Sequence, residues 1–245
     1  MLLDEFFKQV SSYVQKVRNT QDPAIEAAAG LVLDTLRRGH RTFVFGSGHS
    51  NLLTEEIVDR AGQLPIFSPI FVACLLPTDY PYRRTALMER ISGIAAAALD
   101  SIPVEKGDTI ILISTSGRNH VPVEMALEAR QRGLSVIALT SMEFSTHVAS
   151  RHSSGKRLYE LADIVIDSCS PKGDAVVAVP GTSARIGPLS TILGGTILHA
   201  LSCEVCELML DLGMTPPVLV SGNVDGGEEY DEKIPESFKG FVGQL

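Results

Sequence analysis

The chain has 245 residues, of which 44% are hydrophobic and 20% charged. That supplies enough apolar side chain for a large buried core and argues against global disorder. A formal charge of −8 excludes a duplex nucleic-acid surface, which needs a basic stripe that Arg37-Arg38 and Lys156-Arg157 do not make.

Residues 1–40 predict two helices. Leu3, Phe6, Phe7, Val10, Tyr13, Val14 and Val17 recur at helical spacing over residues 3–19. Early acids and the lack of a small-residue cleavage site argue against a signal peptide, so a cytoplasmic location is expected. Asp22-Pro23 opens the second helix, with Asp as cap and Pro at the first helical position; it runs to Arg38 and stops at Gly39. This extension is expected to pack on the domain or on a partner subunit.

The rhythm then changes. Arg41–Phe45 is a β-rich run that ends in Gly46-Ser47-Gly48-His49-Ser50, and residues 51–61 predict a helix. Residues 64–76 form an apolar, proline-broken extended segment, 77–84 a loop, and 86–99 an alanine-rich helix. Residues 108–113 are a strand apolar on both faces, followed by Ser114-Thr115-Ser116-Gly117-Arg118-Asn119 and a helix over 120–132. Strands follow at 135–139 and 163–166, with a short extra strand at 174–179. A long apolar helix over 188–212 ends at Gly213 and Pro216-Pro217, and residues 216–245 read as a loop, a lid or a frayed end. No apolar run is expected to approach the roughly 18 residues of a membrane span, so no membrane partner is expected. The cysteines at 74, 169, 203 and 206 show no disulfide framework. Cys203 and Cys206 read as a buried helical pair; a zinc site would need two more ligands nearby.

Strands alternating with helices predict an α/β fold: a three-layer, doubly wound parallel sheet with right-handed crossovers, over residues 41–215.

Two loops carry the functional expectation. In Gly46-Ser47-Gly48-His49-Ser50 the glycines permit a tight turn and close backbone approach, and hydroxyls with helix-start amides can bind an anion. A dinucleotide site is disfavoured, because Asn51 stands where a third glycine belongs and residues 66–70 offer no acid. In the second loop, Ser114, Thr115, Ser116 and Gly117 lead into a helix that Asn119 can cap, and such a loop can surround a phosphate. Alone it also reads as an ordinary capped turn. Two such loops on adjacent strands converge at the carboxyl edge of the sheet, where open α/β sheets place ligands.

On these residues the chain resembles the SIS (sugar isomerase) domain family, a flavodoxin-like fold used without a nucleotide. The strand leading into GSGHS is similar to that family's first ligand loop, and STSGRN to its phosphate motif. Residues 134–141, 158–166 and 187–191 match the later pattern, so the resemblance covers about 30–212. The chain looks closest to the phosphoheptose isomerase-like branch, which also begins with added helices. The resemblance implies a phosphorylated-sugar ligand, Ser50, Ser114, Thr115, Ser116 and Asn119 at the phosphate, and a homodimer or homotetramer.

Aldose–ketose isomerisation needs a base near carbon 2 and an acid or polariser at the oxygens. Where phosphoheptose isomerase carries its glutamate this chain has Arg60, and where it carries its histidine this chain has Glu56. Glu55, Glu56 and Asp59 remain on the helix beside the ligand. Glu56 is the candidate base; the alternative is a solvated i,i+4 ion pair with Arg60. His199, within the last helix, is either a satisfied core histidine or a proton shuttle. His49 could touch the sugar. Glu204 and Glu207 could line a subunit contact or a site. Arg151–Arg157 reads as a solvated basic turn, able to help hold an anion. There is no HxxxH or HxxE array, so neither a metal nor another cofactor is expected. The functional expectation is a sugar-phosphate isomerase, with a non-catalytic sugar-phosphate sensing module or a related lyase or etherase as alternatives.

Overall fold

The structure is a computed structural model and describes residues 1–78, 81, 83–235 and 238. In chain order its elements are α1 (Leu2–Arg37), β1 (Thr42–Gly46), α2 (Asn51–Ile57), β2 (Phe67–Pro69), α3 (Arg83–Met88), α4 (Ile94–Asp100), β3 (Thr109–Ile113), α5 (His120–Gln131), β4 (Ser135–Thr140), α6 (Met142–Ser145), β5 (Ile164–Asp167), β6 (Ala175–Ala178), β7 (Arg185–Pro188), α7 (Ser190–Asp211) and α8 (Gly227–Asp231).

Five strands form one parallel sheet in the order β2-β1-β3-β4-β5. Strand alternation divides two apolar layers. Phe43, Phe45, Ile110, Leu112, Val136 and Ala138 meet α4 and α5 on one face. Val44, Ile111, Ile113, Ile137, Leu139 and Ile166 meet α1, α2 and α7 on the other. Side chains pack on both faces, which is why these strands read as unbroken apolar runs. The three-layer, doubly wound architecture is therefore the one expected. The chain reverses its direction across the sheet between β1 and β3. That reversal opens a crevice at their carboxyl ends, and both hydroxyl-rich loops leave from it.

The N-terminal part differs from expectation. One 36-residue helix replaces two, and Pro23 lies inside it. Pro23 is exposed, so its ring meets solvent rather than core, and the Asn19 carbonyl that loses its N–H partner is exposed too. An ion pair from Arg18 to Asp22 spans the break. Val17, Ile25, Ala28, Ala29, Val32 and Leu33 are buried, and α1 lies along α7. Packing on one continuous surface overrides the local stop signal.

Other boundaries also move. The alanine-rich helix is two, α3 and α4, divided at Ser92-Gly93, where Glu124 of α5 accepts the Gly93 and Ala95 N–H groups at 2.7 and 3.1 Å. The extra strand β6 pairs antiparallel with β7, outside the main sheet. Helix α7 is long and apolar enough, by length and composition, to cross a membrane, with mean hydropathy 1.4 over an 18-residue window, contrary to expectation. Of that window 44% is buried, against α1 and the sheet. In the expected tail, α8 is docked by Asp231, which accepts the Val220 N–H at 2.8 Å. Residues 79, 80 and 82 of the expected 77–84 loop, and 236, 237 and 239–245 of the tail, lie outside the described residues.

Candidate functional site

The strand β1 ends at Gly46, where the chain doubles back so tightly that a Cβ would stand 2.3 Å from the Ser50 carbonyl oxygen. Only glycine fits there. Gly48–Ser50 forms a single 3₁₀ turn and runs into α2. On the neighbouring strand, Gly117 takes a left-handed φ of +57°, and a Cβ would lie 2.7 Å from Ser145 Oγ. This kink carries the chain from β3 into α5.

The two loops face one cleft of about 600 Å³, lined by Ser47, Gly48, His49 and Ser50 from the first loop and by Ser114, Thr115, Ser116 and Asn119 from the second. Thr85 and Glu89 of the α3 segment, Phe144, and Asp174, Ser190 and Thr191 complete the wall. A larger hollow of about 830 Å³ at the outer edge of β2 is lined mainly by apolar residues such as Phe71, Ile94 and Ile102. The smaller cleft gathers the anion-binding groups, and it is the candidate site.

Hydrogen bonds divide the lining into groups that are used and groups that are available. The Ser114 hydroxyl accepts from Gly117 N–H at 3.3 Å, and Ser47 Oγ donates to Glu89 Oε1 at 2.6 Å. Among the described residues, the hydroxyls of Ser50, Thr115 and Ser116 and the backbone N–H groups of Thr115, Ser116 and Arg118 have no protein partner. Unpaired donors clustered at a strand-to-helix turn are what a phosphate requires.

Asn119 departs from expectation. It stands at the cap position of α5, yet its side chain does not cap. Its amide Nδ2 instead donates to Glu89 Oε2 at 2.9 Å, and its Oδ1 accepts from Arg151 Nη1 at 2.7 Å. A carboxylate in reach competes successfully for the amide, because charge-assisted bonds are the stronger ones. Arg151 thereby departs from a purely solvated turn, whereas Arg157 in the same segment pairs locally with Glu160.

Glu89 is the residue that sequence reasoning missed. Its carboxylate takes one donor from each loop and so lies between them. Its position near the start of the expected alanine-rich helix gave no local signal.

Glu56 and His199 lie elsewhere. Their side chains meet, with His199 Nε2 3.0 Å from Glu56 Oε1. Arg60 bonds the same glutamate oxygen, and Gln63 Nε2 stands 2.6 Å from His199 Nδ1. His199 is 43% exposed and so is no core histidine. Helix α2 ends at Ile57, leaving Asp59 and Arg60 beyond it, with Asp59 at a left-handed φ of 45°. Glu56 lines a small hollow that shares Thr191 with the cleft, and His199 lines another with Gln63, Cys203 and Cys206; neither lines the cleft itself. Cys203 is exposed and Cys206 half-buried, so they are not a buried pair, and both are free thiols. Glu204 and Glu207 border the groove between α1 and α7. Burial, and then the neighbouring acids Glu207, Glu26 and Asp211, push the Glu204 carboxyl above its ordinary range. Among the described residues there is no cluster of three or more metal-ligating side chains.

Residues 5–141 match the family model for the SIS domain, more than half of the chain. The chain belongs to the SIS domain family. A UPF0309 protein of Oceanobacillus iheyensis is 36% identical to this SIS protein over 237 residues, covering 97% of this chain and 96% of that one. Among solved structures, a phosphoheptose isomerase from Francisella tularensis superposes with a TM-score of 0.53 at 20% identity, covering 84% of this chain and 96% of that chain. The Vibrio vulnificus NanR protein complexed with ManNAc-6P superposes at 0.50 and 14% identity, covering 100% of this chain and 71% of that one. At these identities the structural likeness establishes the SIS fold alone. The neighbours thus include both a sugar-phosphate isomerase and a protein that holds a phosphorylated sugar.

Proposed function

We propose that this SIS domain binds a phosphorylated sugar with its phosphate on the Ser114–Ser116 loop and Ser50, and acts on it as a sugar-phosphate isomerase with Glu89 as general base. The observation that carries the reading is the Glu89 carboxylate, held between the two loops by Ser47 and Asn119. A sugar anchored by its phosphate on the second loop would extend past that carboxylate. Glu89 would take the proton from carbon 2 and return it to carbon 1 of the enediol, while the hydroxyl proton passes between the two oxygens. A positioned base of this kind is worth about 10²–10⁴ in rate. His49, exposed at the mouth, is the candidate partner at the sugar oxygens.

Incubation of sugar phosphates in heavy water tests this by the deuterium gained at carbon 2. Glu89→Gln is expected to lower exchange at least about 100-fold, and Glu56→Gln to change it by less than about threefold, because Glu56 lies outside the cleft. The reverse ranking would move the chemistry to the Glu56–His199 pair.

The alternative is a sensing module that binds without reacting. It is favoured by Arg60, whose guanidinium engages the Glu56 oxygen that also faces His199. Tight binding of a sugar phosphate without any exchange would select it. In either case a phosphorylated sugar is the proposed partner, and subunit pairing is proposed through the incompletely buried face of α7.

A further inference from the structure

We infer that the ligand of this cleft carries a second anionic group, and that Arg118 and Arg151, with Arg90 beside them, form the subsite that receives it. The inference rests on the sugar-phosphate reading and narrows it to a class: sugar bisphosphates or phosphorylated sugar acids, whose shared chemistry is an anion at each end.

The chain is acidic, with 29 Asp and Glu against 21 Lys and Arg. Among the described residues, Arg18, Arg38, Arg60, Arg130, Arg132 and Arg157 are each matched by a carboxylate. The three beside the cleft are not. Arg118 lies between Gly117 and Asn119 in the phosphate loop itself. Arg151 reaches the same place from the segment after α6, its backbone N–H donating to the Arg118 carbonyl at 2.8 Å and its Nη1 to Asn119 Oδ1 at 2.7 Å. Arg90 directly follows Glu89. Burial, then the charges of Arg118 and Arg90, hold the Arg151 guanidinium below its ordinary pKa range, with Glu89 only partly offsetting them.

Among the described residues, no carboxylate forms an ion pair with these three arginines. The two Glu89 oxygens are committed to Ser47 and Asn119. Glu124, on the next turns of α5, is committed to the start of α4. Arg118 Nε is buried with no hydrogen-bond partner, and among the described residues the Arg118 and Arg90 side chains have no ion-pair partner. A buried, unpaired N–H of a cation carries a desolvation cost that an anion removes.

Side-chain chemistry separates this subsite from the phosphate-binding groups of the loop. The loop offers hydroxyls and amides, which suit the first phosphate. Asn119 stands between that loop and Arg151, so the guanidinium is one hydrogen bond behind the cleft wall. A second anion would displace Asn119 Oδ1 from Arg151 and supply the missing acceptor to Arg118. The planar guanidinium fork matches carboxylate and phosphate alike.

Two matched pairs of probes distinguish the sources in calorimetric titrations at one ionic strength: glucose 6-phosphate against 6-phosphogluconate, and fructose 6-phosphate against fructose 1,6-bisphosphate. At least one doubly anionic member is expected to bind tenfold or more tightly than its partner, and the pair that shows the gain identifies the second anion as carboxylate or phosphate. Arg118→Met, which keeps the backbone N–H, should lower the affinity of the doubly anionic probe at least tenfold more than that of its monophosphate partner. Equal affinities within both pairs overturn the inference, and so does an Arg118→Met protein that weakens all four probes equally. Should that variant not fold, Arg151→Met, at an exposed side chain, is expected to give the same selective loss, and a retained gain overturns the inference. Ser116→Ala separates the two claims. If it weakens all four probes while no gain exists, the phosphate site stands and the arginine subsite falls. If no probe binds the unaltered protein, both fall.

Discussion

Ser116 and Glu124 show how two polar residues on neighbouring turns take opposite roles. Ser116 presents a hydroxyl and an N–H that no described protein group uses, in a loop otherwise made rigid by the Gly117 kink. A hydrogen bond to a charged phosphate contributes about 1.5–3 kcal/mol. Ser116→Ala should therefore weaken a phosphorylated sugar about tenfold or more and leave the ligand-free melting temperature unchanged; thermal shifts with the phosphorylated and unphosphorylated forms of one sugar check both. Glu124 is the structural counterpart. Burial pushes its carboxyl upward, but the Gly93 and Ala95 N–H groups, the Ser92 hydroxyl and nearby His120 together hold it below its ordinary value. Its folded pKa is thus lower than its unfolded one, near 4.3. The stabilisation is complete above that unfolded value and is lost as pH falls through the folded value. Glu124→Gln is expected to cost about 1–3 kcal/mol at neutral pH, and progressively less below about pH 4; denaturant melts across that range measure the difference.

At the scale of elements, α1 and the β1–β3 pair show what local patterns can and cannot say. The apolar spacing over residues 3–19 and the strands at β1 and β3–β5 were legible because period and length agreed with the packing that followed. Asp22-Pro23 was misread, since a helix start and a tolerated interior proline look alike until the exposed face is known. Proline in a helix interior costs about 3 kcal/mol relative to alanine. Pro23→Ala, on that exposed face, should restore the bond to the Asn19 carbonyl and raise stability by about 1–3 kcal/mol, read as a higher melting temperature. The break at Ser92-Gly93 was illegible for a related reason: the carboxylate that holds the start of α4 comes from α5, 31 residues later.

For the whole molecule, α1 is part of the core rather than an appendage. Val17, Ile25, Val32 and Leu33 are buried against α7 and the sheet. Each such side chain contributes about 1.5–3 kcal/mol, so the four together approach the total stability of a typical domain, about 5–15 kcal/mol. A chain begun at Gly39 is expected to lack cooperative unfolding, which calorimetry would show as the absence of a transition. If it unfolds cooperatively, residues 1–38 are a separable extension.

Composition and strand order in the chain determined the fold class, and the two hydroxyl-rich turns carried the resemblance to the family and marked the edge of the sheet from which both loops leave. These are properties of local spacing and of steric rules that every strand-to-helix unit obeys. The tertiary structure decided which side chains share the cleft. It brought Glu89 between Ser47 and Asn119, turned Asn119 away from capping, set Arg151 behind it, and left Glu56 with His199 and Arg60 in neighbouring hollows. Apart from Glu56 and Arg60, those partners are separated by tens of residues along the chain. Their meeting depends on how helices settle on a twisted sheet, which no local pattern encodes.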